Sequence, residues 1–515
     1  MSRRAGLGHD SATRGHWLLG AGLFASLALH VWSLMRFPAP FVDEAWLTSR
    51  AWAFIQTGRQ LGPLDMGLVE RFEGAWVVNQ WLITFIQSLS LRLFGAPSLL
   101  AMRIVSLLFG LILLAAIYAI AYCLKGPRFG WLSMLLVSSS WPFLYSAHLA
   151  RYDILTAAFG FGAIAIYLYN RSSFWLGMLS GACVGLAFET HAYGAIYAPV
   201  ILILHFGEVR WRMFRSRRFW GLVVGGGLGL LYFAALHILP YPQTYFAVNQ
   251  LAFSGTRTPP LLRLDPRVIL QALADEGSMI AVNYHLLVAF VVGGVVILLR
   301  RRSKSDQSLL ILAVSLVLMH ALAVRSKLPN YAILVTPALA LLAAAFLDDF
   351  LDRAWRGRWT DYASHVLVWG VMLGAVLICW SVVSTDAWQA YQATQRRVNQ
   401  SIQPNDVIMS SQVYWLGLQE HKYYSWELLY IYQRYAPGST LEDSFEEFRP
   451  DVFIWDGHIN NSVADLSPQD EAYREHWLLP RNELQDFLKR RARLVDEFDG
   501  GFYGNIRVYR LNWKE

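Results

Sequence analysis

The sequence is poor in charge. Of its 515 residues only 16% are Asp, Glu, Lys or Arg, where a soluble globular chain carries about 25%. That shortfall excludes an ordinary water-soluble enzyme. Cysteine is scarcer still. The three present, Cys123, Cys183 and Cys379, are odd in number and lie in apolar runs. They exclude a disulfide framework, and no CxxC or Cys/His spacing marks a zinc site. Internal repeats and low-complexity tracts are absent as well.

What the chain has is hydrophobic residues, 55% of the total, gathered in long runs rather than core-sized patches. A helix crossing about 30 Å of hydrocarbon needs roughly 20 apolar residues. Eleven stretches reach or approach that length: 16–35, 99–123, 129–147, 152–169, 174–190, 192–207, 219–238, 282–299, 308–324, 330–347 and 363–384. The 21 Trp and 24 Tyr suit the two interfaces of a bilayer, where amphipathic rings collect. The first stretch follows a basic leader with Arg3, Arg4 and Arg14 and lacks a small-residue cleavage site, so it reads as a retained anchor rather than a signal peptide. The expected fold is a polytopic α-helical membrane protein of about 11 transmembrane helices, with a small C-terminal soluble α/β domain.

Orientation follows the loops that carry Lys and Arg. One set of alternate connections holds Arg3, Arg4 and Arg14, Lys125 and Arg128, Arg171, the group Arg210–Arg218, the run Arg300 to Lys304, and Arg353, Arg356 and Arg358. The other set includes the long loops 36–98 and 239–281, which are less basic for their length. The first set is therefore cytoplasmic and the amino terminus inside. An odd number of spans puts the C-terminal region outside, in the periplasm or extracellular space. Residues 75–94 are long enough to span but are interrupted by Asn79, Gln80, Gln87 and Arg92. They read as a helix lying along the interface, as does the shorter 45–58. The formal net charge of +7 is then mainly a topology signal and no nucleic-acid footprint, since 385–515 is net acidic.

Residues 385–515 change character. A polar helical pattern covers 386–402 and another covers 481–493. Short β-rich runs occur at 406–410, 451–455 and 505–511, with Gly438, Pro450, Gly457 and the pair Gly500–Gly501 as turn signals. The expected organisation is a membrane module over 1–384 and a soluble domain over 385–515.

Four clusters of ionisable residues fall at the external ends of the spans, where charge is costly and usually functional. They are Asp43-Glu44, Arg151-Tyr152-Asp153, Glu189-Thr190-His191, and Lys327-Leu328-Pro329-Asn330-Tyr331. Each has a bland reading. Asp43, Glu44 and Asp153 suit helix N-caps, His191 suits a hydrogen-bonded packing residue, and Lys327 suits a snorkelling anchor. Together they place carboxylates, an imidazole and cations on one side of a bundle.

With these motifs the chain resembles the GT-C type glycosyltransferases, in the bacterial branch related to protein O-mannosyltransferases and lipid A aminoarabinose transferases. The resemblance covers about 1–384. It rests on Asp43-Glu44, Arg151-Tyr152-Asp153, the stretch 185–191 and Lys327-Leu328-Pro329-Asn330-Tyr331 leading into Pro337-Ala338-Leu339. It implies a polyprenyl-phosphate sugar donor and an acceptor lipid, protein or glycan, with transfer on the external face of a bacterial inner membrane. A phosphate leaving group needs no strong acid, but the acceptor hydroxyl needs a base. Asp43 is the expected base, with Glu44 orienting the acceptor or the first external loop. Asp153 would position Asp43 or hold a divalent cation. Lys327, Arg151, His191 and Tyr331 would bind the donor phosphate, and Arg257 and Arg263 lie in a loop placed to cover the site. The competing expectations are a glycan ligase or oligosaccharyltransferase of the same superfamily, a lipid or solute transporter, and a non-catalytic scaffold.

Overall fold

The computed structural model describes residues 7–169, 172–253, 265–284, 288–324, 327–354, scattered positions from 370 to 384, 386–465 and 478–513. The eleventh apolar stretch, 363–384, falls mostly outside the described residues, and Arg257 and Arg263 fall wholly outside them. The chain forms two compact units. The first comprises 1–34, 106–233 and 258–384; the second comprises 35–105, 234–257 and 385–515.

Helices come in the order α1 (Leu7–Ser33), α2 (Val42–Thr57), α3 (Trp81–Phe94), α4 (Leu99–Lys125), α5 (Pro127–Ser138), α6 (Trp141–His148) and α7 (Asp153–Tyr169). They continue as α8 (Phe174–Thr190), α9 (Tyr197–Val209), α10 (Arg217–Phe233), α11 (Pro242–Phe253), α12 (Pro266–Tyr284), α13 (Val288–Arg301), α14 (Lys304–Ala323) and α15 (Thr336–Ala354). Among the described residues, four helical segments are long and apolar enough to cross a bilayer: Leu99–Lys125, Ala192–Arg215, Arg217–Ile238 and Lys304–Ala323. A fifth candidate is the pair α6 and α7, bent by 115°. These make the chain a multi-pass membrane protein.

The stretch 129–147, continuous in the sequence reading, is broken. Ser140 accepts a hydrogen bond from Phe143 N and Pro142 follows in the first turn, so a new helix starts at Trp141. The stretch 75–94 is a short 3₁₀ turn over Ala75–Val78 followed by α3. Its 14 residues reach only about 21 Å at 1.5 Å per residue, short of a bilayer core.

Within the first unit the closest helix contact is α8 against α10. Gly177, Gly181 and Gly185 face the backbone around Arg218, Leu222 and Gly229, where an added Cβ would come within 2.6 Å of main-chain atoms. Small residues at four-residue spacing let apolar helices approach closely, the packing that works when lipid removes the hydrophobic drive. At one end of this unit Lys125 pairs with Asp306, Arg128 with Asp348, and Arg301 with Asp349. These three cations belong to the set read as cytoplasmic.

In the second unit the segment 385–515 adds helices α16 (Ala387–Gln400), α17 (Leu428–Tyr435), α18 (Leu441–Phe448), α19 (Gly457–Asn461) and α20 (Arg481–Arg491). Its strands are β1 (Ile408–Ser410), β2 (Tyr423–Ser425), β3 (Val452–Trp455), β4 (Val463–Ala464), β5 (Leu479–Pro480), β6 (Ala492–Asp499) and β7 (Asn505–Leu511). Five form one sheet in the order β2-β1-β3-β7-β6, with β1 parallel to both neighbours and β7 antiparallel to β3 and β6. The three parallel strands β1, β2 and β3 are fully buried, as parallel strands covered on both faces must be. Phe445, Phe453, Phe487 and Leu484 pack one face, while Val413, Trp415, Ile454 and Val508 pack the other. The sequence reading assigned loop 36–98 to the membrane module; here Leu68 of that loop joins the first of these cores and Ala45 and Leu64 join the second.

Candidate active site

The second unit carries Asp43 and Glu44 at the start of α2. Both lie in its first turn, where carboxylates face the exposed N–H groups. Asp43 is half-buried, whereas Glu44 is fully buried. Glu44 Oε1 accepts from Arg103 Nε at 2.9 Å, and Oε2 accepts from the Arg103 guanidinium at 2.8 Å and from Phe41 N at 3.0 Å. Arg103 also donates to Pro38 O at 3.0 Å. Glu44 thus closes the entrance of α2 onto the start of α4. Nearby, Asp65 accepts from Trp46 Nε1, from Arg50 and from Gly62 N. That buried acid holds the loop that doubles back along α2, and the sequence reading missed it.

The first unit gathers Arg151, Tyr152, Asp153, His191, Asn330 and Tyr331. Arg151 Nε donates to Asp153 Oδ2 at 2.8 Å, and its Nη2 donates to Tyr152 Oη at 3.1 Å. Asn330 Nδ2 reaches the same Asp153 oxygen at 3.3 Å. The guanidinium lies over the rings of Tyr152 and Tyr331, 4.8 and 5.9 Å from their centroids. His191 stacks on Tyr152 at 4.5 Å and stands 5.6 Å from Tyr331. These residues lie in tight connections between helices, α6 to α7, α8 to α9 and α14 to α15, so the reversals themselves bring them together.

Burial and the Arg151 charge push the His191 imidazole down to about 3. Its Nδ1 accepts from Tyr193 N at 3.1 Å. The neutral ring therefore carries its proton on Nε2, a donor without a charge.

Lys327 sits in a second network. Its ammonium meets Glu276 Oε2 at 2.8 Å and donates to the carbonyls of His320 and Ala321 at 3.0 and 3.2 Å. Those three acceptors match its three donors. His320 Nδ1 lies 2.8 Å from Glu276 Oε2, and its Nε2 lies 3.2 Å from Tyr331 O. Burial raises the Glu276 carboxyl, but His320 and then Lys327 outweigh it and hold the group below its ordinary range. Burial in turn lowers Lys327, against the pull of Glu276. Glu276 and His320 had no part in the sequence reading, because neither forms a motif and they are 44 residues apart.

Asp306 and His320 lie at opposite ends of α14, about 21 Å apart along its axis. The Lys125–Asp306 pair and the Lys327–Glu276–His320 network therefore occupy opposite ends of the first unit. A buried pair also occurs within the bundle, His30 Nδ1 to His148 Nε2 at 3.0 Å, with His30 Nε2 on Ser138 O at 2.7 Å. Among the described residues no group of three His, Cys, Asp or Glu side chains is placed to hold a metal ion. Asp153, the residue considered for a divalent cation, has its Oδ2 engaged by Arg151 and Asn330.

Residues 81–238 match the family described as dolichyl-phosphate-mannose-protein mannosyltransferase. Among solved structures, ArnT from Cupriavidus metallidurans in the apo state aligns with a TM-score of 0.56 at 14% identity, covering 95% of this chain and 97% of that chain. The same protein bound to undecaprenyl phosphate aligns at 0.55, with equal identity and coverage. An Archaeoglobus fulgidus oligosaccharyltransferase tethered with an acceptor peptide aligns at 0.53 and 12% identity, covering 86% of this chain and 69% of that one. No curated protein matches by sequence. The fold is that of an integral-membrane GT-C type glycosyltransferase. Residues 81–238, which include the Arg151 motif, are similar to the protein mannosyltransferases, and the chain shares its fold with ArnT.

Proposed function

We propose that the protein moves one sugar, a hexose or a pentose, from a polyprenyl-phosphate donor to an acceptor hydroxyl on the external face of a bacterial inner membrane. The observation that carries this reading is the alignment with ArnT bound to undecaprenyl phosphate over nearly the whole of both chains. The amino terminus would be cytoplasmic and 385–515 periplasmic. The match to an oligosaccharyltransferase supports a second reading, transfer of a preassembled glycan.

In the mechanism Asp43 is the general base, removing the proton of the acceptor hydroxyl as it attacks the anomeric carbon. The bond from that carbon to the phosphate oxygen breaks, and the polyprenyl phosphate leaves as an anion without needing a strong acid. Glu44, spent on Arg103 and Phe41, fixes the turn that presents Asp43. Arg151 supplies charge to the departing phosphate. The Nε2–H of His191 and the Tyr331 hydroxyl add hydrogen bonds. Asp153 orients Arg151 through its 2.8 Å contact. Lys327 would meet a phosphate only by leaving Glu276.

The test is a transfer assay. Purified protein in proteoliposomes is given labelled polyprenyl-phosphate aminoarabinose, mannose or glucose with membrane extract as acceptor. Transfer of label from one of these donors supports the proposal. Transfer only from a pyrophosphate-linked oligosaccharide would favour the second reading, and no transfer from any donor would overturn both.

A further inference from the structure

The sheet of the second unit has the geometry of a ligand-binding edge, yet the chain itself occupies that edge. Strands β1, β2 and β3 are parallel, so their carboxyl ends share one side. In a doubly wound sheet the ligand crevice opens there, between adjacent strands whose outgoing connections diverge. Here those strands are β1 and β3. Ser411, after β1, donates to Asp456 Oδ2, after β3, at 2.6 Å, and both residues are fully buried. The 3₁₀ turn Gln412–Gly417 that leaves β1 packs against α2. Ala45 of α2 and Leu64 share one core with Val413, Tyr414, Trp415 and Tyr503.

The segment entering α2 is tied down one group after another. Ala387 N donates to Arg36 O at 2.9 Å. Arg103 donates to Pro38 O, and Phe41 N donates to Glu44. Between them, Tyr503 Oη donates to Pro40 O at 2.9 Å. Burial, followed by neighbouring Tyr391, pushes the Tyr503 phenol well above its ordinary range, so it stays a protonated donor.

We propose that the carboxyl edge of this sheet is the socket for α2, and that Tyr503 is a positioning residue for Asp43, acting through the Pro40 carbonyl. This gives 385–515 a role in the reaction without contact with substrate. It rests on Asp43 as the base, and the experiment keeps the two ideas apart.

Tyr503→Phe in the full-length protein removes one hydroxyl and keeps the ring. Deuterium uptake over 38–48 should rise about fivefold, the weight of one hydrogen bond. Turnover of a polyprenyl-phosphate sugar should fall at least about tenfold in kcat with donor KM unchanged, as expected when a reacting group is misplaced. Unchanged uptake would overturn the socket. Raised uptake with the wild-type kcat would overturn the positioning role. Asp43→Asn is assayed beside it: if that variant keeps full turnover, the base assignment falls, while the uptake in Tyr503→Phe still decides the socket. Should Tyr503→Phe not fold, Ser411→Ala, which removes the hydroxyl joining the carboxyl ends of β1 and β3 through Asp456, carries the same two readouts.

Discussion

The carboxylate of Glu44 and the guanidinium of Arg103 lie 2.8 Å apart, with both side chains wholly excluded from solvent. Two charges so placed are held by geometry, since desolvation offsets much of their attraction. Removing one partner leaves the other buried alone. Arg103→Met should therefore cost about 3–5 kcal/mol, seen as a lower melting temperature in detergent by tryptophan fluorescence. Glu44→Gln combined with Arg103→Met should regain most of that loss. An unchanged melting temperature in the single variant would mean the pair is dispensable.

Asp43 differs from its neighbour because it remains half-buried. Its replacement should affect chemistry and spare the fold. Asp43→Asn is expected to lower kcat by about 10²–10⁴, the usual share of a positioned base, with melting temperature and donor binding near those of the parent. Near-normal turnover would remove Asp43 from the mechanism.

Much of this was legible in the sequence. The residues of Arg151-Tyr152-Asp153, His191 and Tyr331 meet as a set because each sits where an apolar run ends and the chain reverses, and such ends can be read from hydropathy. The strands at 408–410, 452–455 and 505–511 lie within the β-rich runs bounded by turn residues. What could not be read was pairing at long separation. Arg103 sits inside an apolar run and Glu44 lies 59 residues away, so nothing local links them. Glu276 lies in the stretch 239–281 read as a long loop, and nothing there singles it out until His320 and Lys327 fold against it. The break at Ser140 was hidden for a different reason: one Ser-Trp-Pro cap outweighs hydropathy that runs through it unchanged.

Lys327 was expected to bind phosphate, and its three donors are instead engaged by Glu276 and two carbonyls. The two roles separate by substitution. Lys327→Ala should raise donor KM severalfold if the ammonium swings to the phosphate during turnover. If it stays as an anchor, donor KM will hold and the melting temperature alone will fall, by the equivalent of about 1–3 kcal/mol for the hydrogen-bonding left unmade. Glu276→Gln distinguishes further. It keeps the shape but not the charge, and would lower donor KM only if Glu276 competes with the phosphate for Lys327.

His191 gives a pH dependence with a definite sign. Folded, its imidazole titrates near 3; unfolded, near the ordinary histidine value of 6.5. Between those values the unfolded chain binds more protons at this position than the folded one, so stability rises with pH across that window. The contribution is complete above pH 6.5 and is lost as pH falls toward 3. His191→Gln cannot titrate. Its melting temperature should therefore change less steeply than that of the parent between pH 6.5 and 4. The same comparison bears on donor binding. A ring neutral at pH 7 can offer the phosphate only an Nε2–H hydrogen bond, so donor KM should show no step near pH 6.5 that His191→Gln abolishes. Parallel melting curves for the two proteins, together with such a step, would mean that His191 carries a proton in the folded state and meets the phosphate as a cation.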